Sequence, residues 1–326
     1  MIASRDRHRA VVQERCRAVD ALTAKTNKLA VLVVQQFPVA TDEELLCPPV
    51  RESIANIMLF VELGTVADLE WIVNDAAASC RVVALDCDQK LPESPAIVER
   101  GRAIVDPARL MLYSDNAAWF DSALDMIQRI HHGVTGREVV LCGSGALADH
   151  AAFMLPRLGA RLIAAGRVTR ESDSVIVIGA SQKAASIDAA LVERLPHGSA
   201  IHDIGIGNLA PDAADLARVR RFPLYRLDNR AGISSAIVRL LETDYMVTKL
   251  MGHVRVRDVD IVAGGLLAPP GAVIVDDIRS PTLVLGVADG QGRFRPAPLS
   301  REDQARLEFV MSLTVDAYTR RGPTAP

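Results

Sequence analysis

The residue types best suited to chemistry form a glycine-rich turn near the middle of the chain, between a short apolar segment (138–142) and an apolar helical segment (146–158). In such a strand–turn–helix unit the first glycine, Gly143, permits a tight turn, and Gly145 lets the backbone approach a pyrophosphate. Ala148 is small enough for the helix to pack on the strand, and the first N–H groups of the helix face the phosphates. The turn therefore predicts a dinucleotide site, although glycines also end strands for structural reasons alone. The predicted contacts of the turn are Gly143, Ser144, Gly145, Ala146 and Leu147.

Two further groups of small residues end the next strands of the same predicted sheet. The carboxyl ends of parallel strands meet at the edge of the sheet where ligands of α/β proteins bind. Small residues there let a nicotinamide ring and its ribose lie against the backbone, whereas the alternative is that the glycines only form tight turns. The predicted cofactor contacts in these two groups are Gly179, Ala180, Ser181, Asp203, Gly205 and Gly207.

The residues after the second strand of the glycine motif bear on the choice between NAD and NADP. Enzymes specific for NAD usually place an Asp or Glu there, against the ribose hydroxyls. This chain instead has Arg167, Thr169 and Arg170, and two guanidinium groups are suited to clasp a 2′-phosphate. The sequence thus favours NADP, with NAD as the alternative. The alternative is that both arginines are solvated loop residues.

The densest polar cluster that follows a strand is Asp228, Asn229 and Arg230. In a cleft facing the nicotinamide, Arg230 would hold a carboxylate through two hydrogen bonds, and Asp228 would bind an ammonium or take a proton. The alternative is an Asp–Arg turn that caps the following helix. Elsewhere, the carboxylates of Asp86 and Asp88 suggest either a cation site or a polar turn. The histidines and Lys183 are assigned to loops, core and solvent rather than to catalysis.

Composition and charge restrict the partners. The chain has 326 residues, 49% of them hydrophobic and 24% charged, which is enough for two domains that each have a core. A formal net charge of -3 gives no global reason to expect nucleic acid or an anionic membrane as partner. Five cysteines without CxxC spacing suggest reduced thiols and no metal site, and no uncharged apolar run is long enough to span a bilayer. We expect a cytoplasmic protein that binds a small-molecule substrate.

The remaining segments predict a two-domain α/β protein. Residues 1–130 form a small α/β substrate domain, residues 131–299 a Rossmann domain with a parallel sheet, and a C-terminal helix (300–320) returns to the first domain. The elements expected before the glycine turn are an amphipathic helix at 4–26, strands at 29–37, 81–86 and 109–113, and helices at 51–63, 65–79 and 114–130. Those expected after it are strands at 160–165, 173–181, 260–263, 272–276 and 282–287 and a helix at 234–250.

The order of segments between about 110 and 208 resembles the amino-acid-dehydrogenase-like superfamily, which includes shikimate dehydrogenase and methylenetetrahydrofolate dehydrogenase. The resemblance lies in a polar turn at 114–116, an aromatic residue (Trp119), a helix and then the glycine-rich unit. The short link between 166 and 173 and the stretch 195–207 resemble the folate enzymes in particular, and a fainter likeness is to the dehydrogenase of pyrrolysine biosynthesis. The resemblance implies that Ser114, Asp115 and Asn116 face the substrate cleft, with a helix cap as the alternative. The catalytic tyrosine-and-lysine motif of the folate enzymes is not found in residues 29–63.

These features together predict an NAD(P)-dependent oxidoreductase. Hydride would pass between the nicotinamide and a small amino-acid-like substrate, through an amine/imine or alcohol/ketone couple, in a biosynthetic pathway. We expect a homodimer. The alternative is a dinucleotide-binding sensor, or an inactive subunit, without turnover.

Overall fold

The computed structural model describes residues 2–37, 45–171, 173–181 and 185–321, so Lys183 lies outside the described residues. The chain divides into two compact units, Met1–Ile237 and Val238–Pro326. Each unit has parallel or mixed β-sheet packed against helices, which confirms the predicted α/β class. None of the helices in the described ranges combines the length and apolar character needed to cross a bilayer.

The first sheet of the first unit has a parallel centre and short antiparallel additions. Its strands are β1 (Leu29–Gln36), β2 (Leu45–Leu46), β3 (Arg51–Glu52), β4 (Asn56–Leu63), β5 (Val82–Asp86) and β6 (Leu110–Tyr113). The order is β2-β4-β1-β5-β6, with β3 also paired to β4. β4, β1, β5 and β6 run parallel. Because β1 has later strands on both sides, the strand order reverses beside it, and a crevice opens at its carboxyl end.

The helix predicted at 51–63 is wrong, because this segment forms β3 and β4. Residues Ile57 to Val61 of β4 are almost fully buried, and the strand pairs with β1 from Leu29↔Asn56 to Gln36↔Leu63. A short continuous apolar run fits a buried helix and a strand with both faces covered equally well. The pairing with β1 decides between them, and it is not visible in the run itself.

Helices cover one face of this sheet. They are α1 (Ile2–Thr23), α2 (Leu69–Ala76), preceded by a 3₁₀ turn (Val66–Asp68), and α3 (Ser94–Ile104). Val12 and Val19 of α1 share a core with Leu32 of β1 and Leu59 of β4. The sequence patterns do not predict α3.

The second sheet of this unit is entirely parallel. Its strands are β7 (Glu138–Cys142), β8 (Arg161–Leu162), β9 (Val175–Gly179), β10 (Ala200–Asp203) and β11 (Leu224–Arg226). Their order is β11-β10-β9-β7-β8. β7, the first in sequence, lies between β8 and β9, so this sheet also reverses its order beside its first strand. The glycine turn follows β7 directly and therefore lies at the reversal.

Helices pack on both faces of the second sheet. They are α4 (Asp115–His131), α5 (Ala146–Arg157), α6 (Ala189–Arg194) and α7 (Pro211–Val219). Ile127 of α4 and Leu147 of α5 share one core with Ile176, whereas Val192 and Ala217 share the other with Val177. Among the described residues between β8 and β9, the structure has only a 3₁₀ turn (Ala165–Arg167), in agreement with the predicted short link. The boundary predicted near residue 130 falls within this unit, between its two sheets, and stays a prediction.

The second unit contains a four-stranded mixed sheet. The elements around and beyond the unit boundary are α8 (Arg230–Tyr245), a π-helical turn (Met246–Leu250), β12 (Gly252–Val256), β13 (Val259–Ala263), β14 (Val273–Val275), β15 (Val284–Val287) and α9 (Arg301–Arg321). The sheet order is β12-β13-β14-β15, and the sequence patterns do not predict β12. The sequence predicts that the terminal helix joins the first domain, whereas Val310 of α9 lies in the core of this unit with Ile261 and Val273.

Candidate functional site

A cavity of about 280 Å³ lies in the first unit, where the carboxyl ends of both parallel sheets meet. Two of its lining residues end β1 and one lies near the end of β4, while others follow β5, β6 and β10, so several strand ends contribute to one space. This is the position at which ligands bind in open α/β sheets. The lining residues are Gln35, Gln36, Glu62, Lys90, Asp115, Trp119, Gly205 and Ile206.

A buried lysine between two carboxylates forms the polar centre of the cavity. Lys90 Nζ lies 2.8 Å from Asp86 Oδ2 and 2.6 Å from Asp115 Oδ2. Its side chain is only 6% exposed, and Asp86 is fully buried. Gln35 Nε2 donates to the other oxygen of Asp115. One ammonium and two carboxylates give this group, the Lys90 triad, a formal charge of −1.

The loop that carries Lys90 is fixed by Gln36. Gln36 Nε2 donates to the backbone oxygens of Asp86 and Asp88, at 3.0 Å each, and Ser94 Oγ donates to Gln36 Oε1. The amide of this buried glutamine is thus fully engaged. Lys90 is held from both ends of its loop, by the end of β5 and by the start of α3.

Burial and charge raise the pKa values of both Asp86 and Lys90. Burial raises the pKa of Asp86 to about 6, although the Lys90 charge lowers it and Asp115 raises it. Burial lowers the pKa of Lys90, but the charges of Asp115 and Asp86 raise it more, so the net pKa lies above the ordinary value. Lys90 is therefore an ammonium at neutral pH, and Asp86 takes up a proton near pH 6 as the pH falls.

We expect the Asp86 carboxyl group to titrate near pH 6 in the folded protein, because desolvation outweighs the attraction of Lys90. The measurement is the ¹³C chemical shift of the side-chain carboxyl carbon as a function of pH, assigned with Asp86→Asn. A midpoint close to the ordinary value of 3.8 would contradict the buried environment described here.

The sequence patterns do not predict the triad. They suggest a cation site or a polar turn at Asp86 and Asp88, and the cation at Asp86 is the ammonium of Lys90. The available signal is an Asp–x–x–x–Lys spacing directly after a buried strand. Asp115, named only through the resemblance, lines the cavity and completes the triad.

The glycine turn after β7 has two glycines with positive φ. Gly143 and Gly145 have φ of +114° and +103°, which side-chain-bearing residues rarely adopt. A Cβ atom at Gly143 would lie 2.5 Å from the backbone nitrogen of Ser181, so the turns after β7 and β9 touch. No atom lies within 4 Å of a Cβ placed at Gly145, which leaves open space beside the N-terminus of α5.

The turns after β9 and β10 are joined by Asn208, a buried residue that the sequence patterns do not single out. Its Oδ1 accepts from the Ser181 nitrogen at 2.7 Å, and its Nδ2 donates to Asp203 Oδ1 at 2.8 Å. Asp203 Oδ2 accepts from the Gly207 nitrogen at 2.6 Å. The structure thus brings together Gly143, Ser181, Asp203 and Gly207, while their predicted role in cofactor binding stays a prediction.

Trp119 and Ile206 form the apolar walls of the cavity. Trp119 Nε1 donates to the backbone oxygen of Ile204, which fixes the indole against the end of β10. Ile206 has φ of +65°, an unfavourable conformation for a β-branched residue, and the residue is 45% exposed. Strain of this kind occurs where a ligand site needs a side chain in a defined place.

The other predicted substrate residues lie outside the cavity lining. Asp228 and Arg230 form an ion pair at 2.6 Å with both side chains about half exposed, and Asp228 Oδ1 accepts from the Arg230 nitrogen where α8 begins. Asn229 is buried and accepts from Arg51 Nη1. This arrangement fits the helix-cap alternative, and a role in substrate binding stays a prediction.

Ser114 and Asn116 lie at the start of α4, next to Asp115. Ser114 Oγ accepts from the Ala117 nitrogen and caps the helix, as the alternative predicts. The Asn116 backbone nitrogen donates to Asp88 Oδ2 at 2.7 Å, which ties α4 to the Lys90 loop. These contacts fix the start of α4, and contact of Ser114 or Asn116 with a substrate stays a prediction.

The residues predicted to select the cofactor are exposed. Arg170 donates to the backbone oxygen and the carboxylate of Glu193, at 3.0 and 3.2 Å. Arg167 ends the 3₁₀ turn after β8 and is also exposed. Contact between either arginine and a 2′-phosphate stays a prediction, and Arg170 would have to exchange Glu193 for the phosphate.

A pair of histidines lies apart from the cavity lining. His131 Nε2 is 2.8 Å from His202 Nε2, and His202 stacks on Tyr225. Burial lowers the pKa of His202 to about 3, so this histidine is neutral. The described ranges contain no group of three or more His, Cys, Asp or Glu side chains arranged to hold a metal ion.

No family model matches the sequence, and no curated protein matches it. Similar solved structures include the methylenetetrahydrofolate dehydrogenase-cyclohydrolase of Trypanosoma brucei, complexed with NADP and an inhibitor, at 15% identity and a TM-score of 0.34 over 72% of this chain and 92% of that one. The corresponding Campylobacter jejuni enzyme is 13% identical, with a TM-score of 0.35 over 71% and 96%. Shikimate dehydrogenase 1 of Peptoclostridium difficile is 10% identical, with a TM-score of 0.33 over 68% and 91%. These are the two kinds of enzyme that the segment order resembles, but no activity, substrate or cofactor follows from likeness at this level.

Proposed function

We propose that this chain is an NAD(P)-dependent oxidoreductase that acts on a small molecule seated beside Lys90. The observation that carries the proposal is the position of the Lys90 triad. It lies in a cavity shared with Gly205 and Ile206, which follow β10 of the sheet that carries the glycine turn. A protein that only binds a dinucleotide has no need of a buried ammonium at this place.

We assign the cofactor to the glycine turn. Gly143 and Gly145 adopt positive φ, and the space beside Gly145 is open where α5 presents its first N–H groups. We place the pyrophosphate there, next to the turns that Asn208 joins and that lead to Gly205 in the cavity lining. When bound, the nicotinamide would supply or accept the hydride.

Lys90 is the residue that we assign to proton transfer. Its ammonium form, stabilised by Asp86 and Asp115, would donate a hydrogen bond to the oxygen or nitrogen on the reacting carbon and give up a proton as that carbon is reduced. Asp115, oriented by Gln35, would keep the ammonium in place. The finer predictions of an amino-acid-like substrate, an amine/imine or alcohol/ketone couple and a biosynthetic role belong to this proposal.

The first experiment measures the binding of NADPH and of NADH by isothermal titration calorimetry. The second adds small ketones and imines and follows oxidation of the cofactor by the loss of the absorbance of its reduced nicotinamide. Saturable binding of at least one cofactor, with turnover that Lys90→Met removes, is the expected result. Absence of binding of either cofactor at millimolar concentration would overturn the proposal.

Replacing both Arg167 and Arg170 by Ala should weaken NADPH binding by roughly 10–100-fold, on the order of one or two lost charge-assisted hydrogen bonds, and leave NADH binding almost unchanged. Arg218→Ala is the matched control, because Arg218 also forms an exposed ion pair, with Asp215 at 2.7 Å, but lies on α7. Calorimetry with both cofactors makes the comparison. Equal losses for NADPH and NADH, or a native preference for NADH, would count against a 2′-phosphate site.

A further inference from the structure

We infer that a second cavity, within the unit Val238–Pro326, binds a small carboxylic acid with an aliphatic body. This cavity has a volume of about 290 Å³ and shares none of its lining residues with the cavity beside Lys90. Small-molecule sites usually occupy about 300–1,000 Å³, so a ligand of few atoms is expected here. Such a site is independent of the proposed oxidoreductase activity.

The floor of the second cavity is one face of the four-stranded sheet. Successive residues of a strand point to opposite faces of a sheet. Val273 of β14 shares a core with Val310 of α9, whereas the next residue, Ile274, belongs to a separate apolar cluster with Ala268 and Ala288. These last three residues line the cavity, which therefore lies on the face opposite to α9.

Two loops form the walls. The loop between β13 and β14 contributes Leu266 and Leu267, and the loop after β15 contributes Gly292 and Arg293. Leu266 is 42% and Leu267 71% exposed. An aliphatic chain that lies against both leucines would remove apolar surface from water, which favours binding.

Arg293 places a positive charge in the wall of the cavity, and no carboxylate belongs to the described residues of the lining. Within the described part of the chain its guanidinium forms no hydrogen bond or ion pair. The carboxylate of the same loop, Asp289, instead accepts from the backbone nitrogens of Gln291 and Arg293, at 2.6 and 3.1 Å, which fixes the turn. A guanidinium binds a carboxylate through two parallel hydrogen bonds, so Arg293 is suited to hold the acid group of a ligand.

The backbone at 265–268 supplies further donors. Its four nitrogens donate no hydrogen bond to any residue that the structure describes. Ala268 is only 5% exposed, and a buried N–H group without an acceptor is rare. Successive N–H groups of a loop can together bind an anion. Donors without acceptors beside an apolar floor therefore fit a ligand with an anionic head and an aliphatic body.

The test compares three probes that have the same carbon chain: hexanoate, 1-hexanol and hexylamine. Their dissociation constants are measured on the full chain by isothermal titration calorimetry, with and without saturating NADPH. We expect hexanoate to bind roughly tenfold or more tightly than hexanol, because only the acid gains charge-assisted hydrogen bonds, and hexylamine to bind most weakly. NADPH should leave hexanoate binding unchanged.

An alcohol or amine that binds as tightly as the acid would overturn the inference, as would no hexanoate binding at millimolar concentration. Loss of hexanoate binding in the presence of NADPH would place the acid in a cofactor site and also overturn it. Binding of NADPH is measured by itself, so failure of the proposed function is recognised separately.

Variants locate the bound acid. Arg293→Gln and Leu267→Ser should each weaken hexanoate binding several-fold, and thermal unfolding of both variants checks that the fold is kept. The matched controls are Arg255→Gln and Leu283→Ser, since both residues are exposed and lie outside the lining. Equal losses in a variant and its control would show that hexanoate does not bind in this cavity.

Discussion

Replacing Lys90 by Met should lower the free energy of unfolding by about 3–5 kcal/mol at pH 8, the cost expected when one partner of a buried ion pair is removed. The Met side chain is close in length to that of Lys, so the loss would come from charge and not from an empty volume. Asp86 and Asp115 would then be left buried together without a cation. Urea denaturation followed by circular dichroism measures the change.

The loss should shrink as the pH falls. In the native chain the folded-state pKa of Asp86, about 6, lies above its ordinary value of 3.8. A group raised in this way contributes stability that is fully present below its unfolded pKa and is lost as the pH rises through its folded pKa. Since Lys90 lowers the folded-state pKa of Asp86, its removal raises that pKa further. Asp86 of the variant then takes up its proton at a higher pH, so the stability difference between the variant and the native protein becomes smaller from pH 8 to pH 5.

The control for Lys90→Met is Lys28→Met. Lys28 also bonds to a carboxylate, that of Glu52 at 2.5 Å, but Glu52 is 42% exposed, and such pairs contribute about 0–1 kcal/mol. Adding Asp86→Asn to Lys90→Met should recover part of the lost stability. A loss for Lys90→Met that equals the Lys28→Met loss and does not depend on pH would show that the triad is not buried as described.

The second large effect is expected for Gly145→Val, which should weaken NADPH binding by at least about two orders of magnitude, because a branched side chain occupies the space of the pyrophosphate. A side chain at φ of +103° is also strained, so loss of folding is the competing explanation. Gly133 offers a closely matched control: it too has φ of +103°, and a Cβ atom added there would have no atom within 4 Å.

Gly133 precedes β7, at the opposite edge of the sheet from the glycine turn. Gly133→Val should therefore carry the same backbone strain and retain cofactor binding. Fluorescence titration with NADPH, together with thermal unfolding of both variants, separates the two effects. Similar loss of NADPH binding in both variants would remove the support for a pyrophosphate site at Gly145.

The second sheet could be predicted largely from the sequence because its signals are local. Its strands are short apolar runs that end in glycines or polar turns, as at Gly143 and Asp203. The link before β9 has too few residues for a crossover helix, which can be read directly from the sequence. The first sheet was harder. The run Asn56–Leu63 contains the residues of a buried helix or a buried strand, and its pairing with β1 is a property of the fold.

The centre of the site depends on contacts between distant parts of the sequence. Lys90 is a loop lysine with no motif around it, and Asp115, the partner that completes its environment, follows 25 residues later and resembles any first-turn helix acid. Asn208 accepts a hydrogen bond from the backbone nitrogen of Ser181, which lies 27 residues earlier in the chain. Strand order brings such residues together, so their chemistry becomes visible only when the topology is known.

The two sheets contribute unequally to the lining of the cavity beside Lys90. Glu62, Lys90 and Asp115 come from the strand ends and loops of the first sheet, whereas the second sheet contributes the turn at Gly205 and Ile206. Under the proposed function, mutations in the first set would alter which molecule is accepted while the glycine turn is untouched. A directed-evolution library confined to these positions would then explore new substrates at a constant cofactor preference.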